Sequence, residues 1–254
     1  MTDLLHVDGL SVHYGGVKAN SNISLTVPEG KLVGIIGANG AGKTTFIDAI
    51  TGFAPLASGS VTFAGEDITT KRADARSRAG LVRTFQSLEL FSDLTVWNNL
   101  MVAAETVPSH RGEAHAMQEH VKWSLATVGL SGLEASLPSG LPHGRRKLVS
   151  IARALAARPR LLLLDEPAAG LDASESAELG AILRQLVADG LTILMIDHDM
   201  GLVLSVCDYV VAFDFGKVIA EGSPSEMRVN PRVIAAYLGT SGDALASEES
   251  VRRS

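Results

Sequence analysis

Residues 37–44 read GANGAGKT, a glycine-rich run that follows the apolar run Leu32 to Ile36 and ends in a lysine and a threonine. Glycines at this spacing let backbone amides wrap around a phosphate chain, and a helix that begins directly after the loop adds positive potential. Lys43 is predicted to reach the β and γ phosphates of a nucleotide, and the Thr44 hydroxyl to meet Mg²⁺. The alternative, a glycine turn with an incidental lysine, is weaker because strand and helix patterns flank the loop. The loop residues predicted to bind the nucleotide are Gly37, Asn39, Gly40, Ala41, Gly42, Lys43, Thr44 and Thr45.

Two carboxylates, Asp165 and Glu166, follow a second apolar run, Leu161 to Leu164. Adjacent residues at a strand end point in different directions, so these two side chains can take different roles. Asp165 is predicted to bind Mg²⁺, directly or through water, and Glu166 to accept a proton from the water that attacks the γ-phosphate. The alternative is a polar strand end that meets solvent, which is the weaker interpretation beside a phosphate-binding loop.

A histidine, His198, follows a third apolar run, Leu191 to Ile196, and stands between Asp197 and Asp199. A neutral imidazole there is predicted to bond the γ-phosphate or to orient the attacking water. A strand-end histidine taken alone is more often a surface or core residue, so this prediction depends on its position. Ligands of open α/β sheets bind beyond the carboxyl ends of the strands, so the three polar groups are expected to converge on one edge.

A basic run, Arg145 to Lys147, stands at the start of a predicted helix whose apolar face includes Leu148, Ile151 and Leu155. Cations are unfavourable at a helix N-terminus by roughly 0.3 to 1 kcal/mol each. Either an anion bound at this terminus removes the conflict, or three solvated side chains tolerate a small penalty. Both interpretations stay open on the sequence alone.

The elements that must position these groups are typical of the α/β class. The three apolar runs are short and nearly uninterrupted, as parallel strands covered on both faces are. Residues 4–14 and 23–27 partly alternate, which favours antiparallel strands near the N-terminus. Residues 209–213 and 217–220 predict a hairpin. Helical periods between residues 88 and 140 predict an inserted helical lobe.

The composition narrows the possible functions. The chain has 254 residues, 46% of them hydrophobic, which suits one well-packed domain with a smaller lobe. A net charge of -6 argues against a nucleic-acid partner, and the single cysteine, Cys207, fits a reducing compartment. No apolar stretch reaches the roughly 20 residues of a membrane-spanning helix, and the N-terminus lacks a secretory pattern. We expect a cytoplasmic protein with a disordered tail over residues 240–254.

These motifs together resemble the ATP-binding cassette family over nearly the whole chain. Gln86 in RTFQ is similar to the family's Q-loop, residues 168–172 (AAGLD) to its D-loop, and His198 to its switch histidine. Tyr14 stands where the family stacks an aromatic ring on adenine, although a packing role is the alternative. The implied cofactors are ATP and Mg²⁺. The predicted metal ligands are Thr44, Gln86 and Asp165, and the predicted catalytic residues are Lys43, Gln86, Glu166 and His198.

The resemblance also implies a domain organisation. A P-loop NTPase core, with a mostly parallel sheet and helices on both faces, is expected to carry an N-terminal antiparallel β-subdomain and an inserted α-helical subdomain. The ATPase domain is predicted over residues 1–239, with the core at 1–86 and 156–239 and the helical subdomain at about 87–155. We expect the apolar stretch Leu88, Leu90 and Phe91 after Gln86 to be partly lobe core and partly a docking groove for a short permease helix.

The segment Leu141 to Arg145 (LPHGR) aligns with the family signature LSGGQ, because the spacing to IARAL fixes the register. Pro142 replaces the serine that usually bonds the γ-phosphate, and Arg145 replaces the glutamine. The segment's predicted ATP contacts are His143, Gly144 and Arg145, and Asp172 of the D-loop is a further predicted contact. In this family the signature of one subunit closes over ATP bound to another, so a second ATPase subunit is expected.

Finer features, including RTFQSLELFSDLTVWNNLMVA and NPRVIAAYLG, resemble the LivG-type ATPases of branched-chain amino acid importers. Urea and short-amide importers share much of this pattern and stay an alternative. The implied partners are a second copy of the chain or a LivF-like sister, two transmembrane permease subunits and, indirectly, a solute-binding protein. The implied location is the cytoplasmic face of the cell membrane.

Three other classes fit these residues less well. A family member that acts in DNA repair or translation normally carries a coiled-coil insert or a second cassette, and the sequence has neither. A GTPase or phosphotransferase leaves Tyr14, the signature and His198 unexplained, and the sequence has no N-K-x-D motif. A regulatory cassette that binds ATP without hydrolysis is disfavoured by Glu166 and His198, whereas Pro142 keeps it open.

Overall fold

The computed structural model of the protein describes residues 2–107 and 113–237. The predicted tail over residues 240–254 lies outside the described residues. The strands are β1 (Asp3–Tyr14), β2 (Val17–Pro28), β3 (Leu32–Ile36), β4 (Ser58–Phe63), β5 (Glu66–Asp67), β6 (Leu81–Arg83), β7 (Leu161–Asp165), β8 (Thr192–Ile196), β9 (Tyr209–Asp214) and β10 (Lys217–Gly222). The helices are α1 (Lys43–Thr51), α2 (Ala73–Arg78), α3 (Val96–Ala104), α4 (Ala114–Thr127), α5 (His143–Ala156), α6 (Ala173–Ala188), α7 (Met200–Val206), α8 (Pro224–Val229) and α9 (residues 231–237).

The three apolar runs form the centre of a six-stranded sheet with the order β10-β9-β3-β8-β7-β6. All its neighbouring strands are parallel except β9 and β10, which form the predicted hairpin. Because β3, β8 and β7 are neighbours, their carboxyl ends bring the phosphate loop, the acidic pair and His198 to one edge. The predicted α/β architecture is confirmed.

Both faces of the six-stranded sheet are covered. In β7, Leu162 and Leu164 belong to one hydrophobic cluster, whereas Leu161 and Leu163 belong to a second cluster on the opposite face. A fully buried leucine contributes about 1.5 to 3 kcal/mol, so each strand is held from two sides. The strands that lead into the functional loops are therefore held firmly in place.

A second sheet has four antiparallel strands in the order β2-β1-β4-β5. Its first two strands are the pair predicted near the N-terminus, whereas β4 and β5 had no predicted counterpart. Leu5 and Val7 of β1 share a cluster with Phe46 and Ile47 of α1. The helix that begins at the phosphate loop is therefore packed against both sheets.

The predicted inserted lobe consists of α3, α4 and α5, which lie between β6 and β7 in the chain. Leu100 of α3, Leu125 of α4 and Leu148 of α5 are buried in one cluster, which also contains Leu164 of the central sheet. Because α5 packs on both lobe and core, the division at residues 87 and 155 stays a prediction. Within residues 2–107 and 113–237, no helix is long and apolar enough to span a membrane.

Candidate nucleotide-binding and hydrolysis site

At two glycine positions of the phosphate loop, the surrounding backbone leaves no room for a side chain. Gly42 is the N-cap of α1 with a left-handed φ of 94°, and a Cβ there would lie 2.6 Å from the carbonyl oxygen of Ala19. At Gly37 a Cβ would overlap the carbonyl oxygen of Phe213. Any side chain at either position would displace neighbouring backbone, so only glycine permits this loop.

The loop is held from outside by two side chains that sequence reasoning missed. The amide of the fully buried Asn20 donates to the carbonyl oxygen of Gly42 at 3.0 Å. The backbone N–H of Gly37 donates to the hydroxyl of Tyr237, in α9, at 2.8 Å. Burial raises the pKa of Tyr237, which keeps the phenol protonated at neutral pH. Asn20 belongs to no sequence motif, and although Tyr237 lies in NPRVIAAYLG, that segment does not indicate a contact with the loop, so only the fold reveals both roles.

Lys43 lies inside the loop, with its side chain almost fully buried. Its ammonium donates to the carbonyl oxygens of Gly37 at 2.7 Å and Ala38 at 3.0 Å. Burial lowers the pKa of Lys43, whereas the nearby carboxylates of Glu166 and Asp165 act in the opposite direction. To reach a bound phosphate, the ammonium must exchange these carbonyls for phosphate oxygens.

A cavity of about 420 Å³ opens in front of the phosphate loop. Its wall includes Asn39, Gly40, Gly42, Lys43, Thr44, Thr45 and Glu166. Tyr14 does not line it, but Val17, the residue paired with Tyr14 across the β1–β2 turn, does. The fold therefore brings the predicted base to the loop, and leaves Tyr14, which is 52% exposed, outside the cavity wall.

Asp165 is buried at the end of β7, and its Oδ2 accepts a 2.8 Å bond from Nη2 of Arg83. Mg²⁺ in nucleotide sites takes one or two protein oxygens together with phosphate oxygens and water. The Asp165 carboxylate and the Thr44 hydroxyl are hard oxygen donors that fit this requirement. Arg83 belonged to no predicted site, although it stands three residues before Gln86.

Glu166 has a left-handed backbone with φ 48°, a conformation that costs a non-glycine residue free energy. Its Oε2 accepts a 2.9 Å hydrogen bond from Nε2 of Gln86. Nδ1 of His198 lies 3.7 Å from the same oxygen. Three of the predicted catalytic residues, Gln86, Glu166 and His198, therefore meet at one carboxylate oxygen.

The two aspartates that flank His198 have structural roles. Asp197 is fully buried, and its carboxylate accepts from the backbone N–H groups of Ala168 and Asp199, both at 2.9 Å. Asp199 caps α7 by accepting from the Leu202 N–H. The His198 side chain is 55% exposed. Within this polar cluster, the exposed His198 side chain lies 3.7 Å from the Glu166 carboxylate.

The signature segment lies at the start of α5. Pro142 is the N-cap of this helix and offers no side-chain cap bond. A Cβ at Gly144 would overlap the carboxylate of Glu175, so a larger residue there would require this side chain to move. The nearby Ser139-Gly140 pair belongs to a separate 3-10 helix at Pro138–Gly140.

The structure corrects the interpretation of the basic run Arg145 to Lys147. Lys147 is buried rather than solvated, and its ammonium donates to the carbonyl oxygens of Glu166 at 2.9 Å and Pro167 at 3.0 Å. Burial lowers the pKa of Lys147. Arg145 contacts Glu178, with 3.7 Å between nitrogen and oxygen. Lys147 therefore fits neither predicted alternative, a bound anion or a solvated side chain. Its ammonium instead holds the backbone at Glu166, the predicted base.

Two family models match this sequence and show which family the chain belongs to. Residues 20–169 match the family model described as ABC transporter, and residues 217–243 match a model described as branched-chain amino acid ATP-binding cassette transporter. The chain belongs to the ABC transporter family. The resemblance predicted from the motifs is confirmed, as is the prediction of an ATPase coupled to transport.

Similar ABC proteins cover nearly the whole chain. The high-affinity branched-chain amino acid transport ATP-binding protein BraF of Pseudomonas aeruginosa is 38% identical over 93% of this chain and 98% of its own length. LivG of Escherichia coli K12, which has the same description, is 36% identical over the same shares. A crystal structure of an ABC transporter cassette in its ADP conformation has a TM-score of 0.86 at 31% identity, and covers 94% of this chain and 100% of its own.

Within this ABC cassette, two predicted ATP contacts have local partners. Asp172 of the D-loop is the N-cap of α6 and forms a capping box with Glu175. Nε2 of His143 lies 3.3 Å from the position that a Cβ would take at Gly170, so His143 contacts the D-loop of its own chain. Their roles toward ATP, like those of the other predicted site residues, stay predictions.

Proposed function

We propose that this chain is the ATP-hydrolysing subunit of a branched-chain amino acid importer, bound to the cytoplasmic face of the membrane. The observation that carries the hydrolytic role is the position of Glu166 in the wall of the cavity before the phosphate loop, with Gln86 and His198 at its carboxylate. The solute class is supported by BraF and LivG, which align with 93% of the chain.

Each predicted residue has a defined task in this proposal. The phosphate-loop amides and Lys43 bind the β and γ phosphates, and Thr44, Asp165 and Gln86 hold Mg²⁺, which supplies charge neutralisation when bound. Glu166 accepts the proton of the attacking water. Because Gln86 and His198 contact one of its oxygens, the carboxylate has a fixed direction, and orientation is the main requirement of phosphoryl transfer.

The second half of the ATP site is proposed to come from a partner ATPase, either a second copy or a LivF-like sister. In this arrangement the α5 N-terminus of one subunit faces the γ-phosphate bound by the other. Pro142 has no hydroxyl and no N–H, so the contact falls to the Gly144 amide, the helix terminus and Arg145. Asp172, His143 and Tyr14 are proposed to contribute once the two subunits close.

One of the two permease subunits is proposed to dock, through a short helix, on a groove next to Gln86 of this chain. The groove has a volume of about 570 Å³, and its wall includes Phe53, Arg83 and Phe85. Phe53 is 59% exposed and Phe85 is 37% exposed, and the rings meet edge to face with centroids 5.7 Å apart. Exposed aromatic side chains beside polar ones are typical of protein contact sites.

The apolar stretch after Gln86 was predicted to be partly lobe core and partly docking groove, and contacts within the chain involve several of its residues. Leu90 packs against the main core, and Phe91 lies 5.8 Å from the guanidinium of Arg153. Arg153 also donates to the carbonyl oxygens of Leu88 and Glu89. We therefore propose that this stretch mainly positions the lobe, while Phe53 and Phe85 form the docking surface.

Transport by the reconstituted complex tests the proposal. The chain is purified with its permease and sister subunits, placed in liposomes, and supplied with Mg·ATP and a solute-binding protein. We expect ATP-dependent uptake of labelled leucine, isoleucine and valine, abolished by Glu166→Gln. ATP-driven uptake of urea in their place would overturn the solute assignment, and ATP turnover by the complex without any solute movement would overturn the transport role.

A further inference from the structure

The guanidinium group of Arg83 contacts Asp48 of α1, Asp165 of β7 and the ring of Phe85. Nη1 lies 2.5 Å from Oδ1 of Asp48, and Nη2 lies 2.8 Å from Oδ2 of Asp165. The Arg83 side chain is 7% exposed and that of Asp165 is 4% exposed. Charged hydrogen bonds between buried groups are strong and directional, and an arginine fork can hold two carboxylates at fixed positions.

We propose that Arg83 is a positioning residue that orients Asp165 for Mg²⁺ and connects this carboxylate to the docking groove. The inference rests on the proposed function, which assigns Asp165 to the metal. Because Nη2 occupies Oδ2, rotation of the carboxylate is restricted, and Oδ1 is the oxygen that we assign to Mg²⁺. A partner that orients a metal-binding carboxylate commonly changes metal affinity when it is altered.

The other end of the same fork reaches the phosphate loop. Asp48 lies on α1, the helix that begins at Lys43 and whose N-terminus forms the end of the loop. The contact with Asp48 therefore fixes Arg83 relative to the phosphate site, and the contact with Asp165 fixes the metal ligand relative to Arg83. In the described part of the chain, Nε of Arg83 is buried without a hydrogen-bond partner. The two carboxylates provide the short bonds to the guanidinium, and Nη1 also lies 3.5 Å from the Thr51 hydroxyl.

The guanidinium also lies beneath the docking groove. Its Cζ is 4.9 Å from the ring centroid of Phe85, and Phe85 contacts Phe53 edge to face. A permease segment that moves Phe85 would therefore displace the group that holds Asp165. Arg83 would thus connect the permease contact to the metal site by a route that does not pass through Gln86.

Metal binding to the purified chain tests this inference without relying on turnover. Mn²⁺ is titrated into the chain saturated with a non-hydrolysable ATP analogue, and free Mn²⁺ is followed by electron paramagnetic resonance. Arg83→Lys keeps the charge but cannot span both carboxylates. We expect it to weaken Mn²⁺ affinity by about 10-fold or more, with analogue affinity in EDTA within about twofold of the wild type. Arg72→Lys is the matched control, because Arg72 lines the same groove and its side chain is 90% exposed.

A second variant keeps the inference testable if Arg83→Lys loses its fold. Asp48→Asn removes the outer anchor and leaves both Arg83 and Asp165 in place, and we expect it to weaken Mn²⁺ affinity by about threefold. If a folded Arg83→Lys chain or the Asp48→Asn chain binds Mn²⁺ as tightly as the wild type does, the proposed role of Arg83 is overturned. If the wild-type chain itself shows no metal-dependent nucleotide binding, the proposed function fails instead.

Discussion

The side-chain amide of Gln86 donates a 2.9 Å hydrogen bond to Oε2 of Glu166. Gln86 is followed by the segment that enters the helical lobe, whereas Glu166 directly follows a central strand that is buried on both faces. One hydrogen bond therefore connects the segment that leads into the helical lobe to the proposed base. A lobe movement that withdraws Gln86 would release the carboxylate.

Glu166→Gln is expected to retain ATP binding and lose turnover, because the amide cannot accept the proton of the attacking water. Steady-state phosphate release should fall by about 10² to 10⁴-fold. With Mg·ATP, size-exclusion chromatography should show a persistent pair with the partner ATPase. Glu178→Gln, an exposed carboxylate on α6, is the control. Unimpaired phosphate release by Glu166→Gln would refute the assigned base.

Gln86→Ala is expected to reduce kcat while ATP affinity stays within about threefold, because it removes the partner that orients Glu166. A misplaced catalytic group can cost on the order of 10²-fold in rate, and a loss of about 10 to 10²-fold is expected here. ATPase kinetics measure kcat and equilibrium titration measures affinity. Ser87→Ala is a neighbouring control that should leave both unchanged. A loss of ATP affinity with kcat unchanged would mean that Gln86 acts mainly through binding.

Pro142→Ser restores the hydroxyl that the signature lacks, and it also supplies a helix cap. Serine at an N-cap stabilises a helix by about 1 kcal/mol relative to alanine, so Pro142→Ser should exceed Pro142→Ala in free energy of unfolding by about that amount. If the missing hydroxyl limits the ATP site, ATPase activity should rise in Pro142→Ser and not in Pro142→Ala. A loss of activity in both variants would instead show that the proline itself is needed.

Lys147→Met is expected to destabilise the fold, because two buried carbonyl oxygens, of Glu166 and Pro167, lose their donor. A buried polar group left without a partner costs about 1 to 3 kcal/mol, so a loss of about 2 kcal/mol in urea unfolding is expected. Lys122→Met, whose side chain is 61% exposed, should change little. A loss below about 0.5 kcal/mol would show that the two carbonyl contacts contribute little to stability.

The central strands and the phosphate loop could be predicted from the sequence because their signals are local. An uninterrupted aliphatic run such as Leu161 to Leu164 indicates a buried strand, and glycine spacing with Lys43 indicates a phosphate loop, without knowledge of the rest of the fold. The convergence of three strand ends followed from a general rule about parallel sheets. Most of the predicted phosphate-loop residues accordingly line one cavity together with Glu166, whereas Tyr14 lies outside its wall and His143 contacts the D-loop of its own chain.

The supporting contacts could not be predicted because they join distant parts of the chain. Tyr237 bonds the amide of Gly37 across 200 positions, and Arg83 bonds Asp165 across 82. A sequence shows the residue types but not which pairs the topology brings within hydrogen-bond distance. Lys147 illustrates the same limit, because its place in a basic run predicted solvent or an anion, whereas the fold buries it against two carbonyls.

Equilibrium binding of ATP to the purified chain, with Mg²⁺ present and nucleotide up to millimolar concentration, tests the central claim most directly. We predict saturable binding that Lys43→Ala weakens at least about 10-fold, since a charged hydrogen bond to phosphate is lost. A wild-type chain that binds no ATP under these conditions would contradict the assignment of residues 37–45 to the triphosphate, and with it the proposed ATPase.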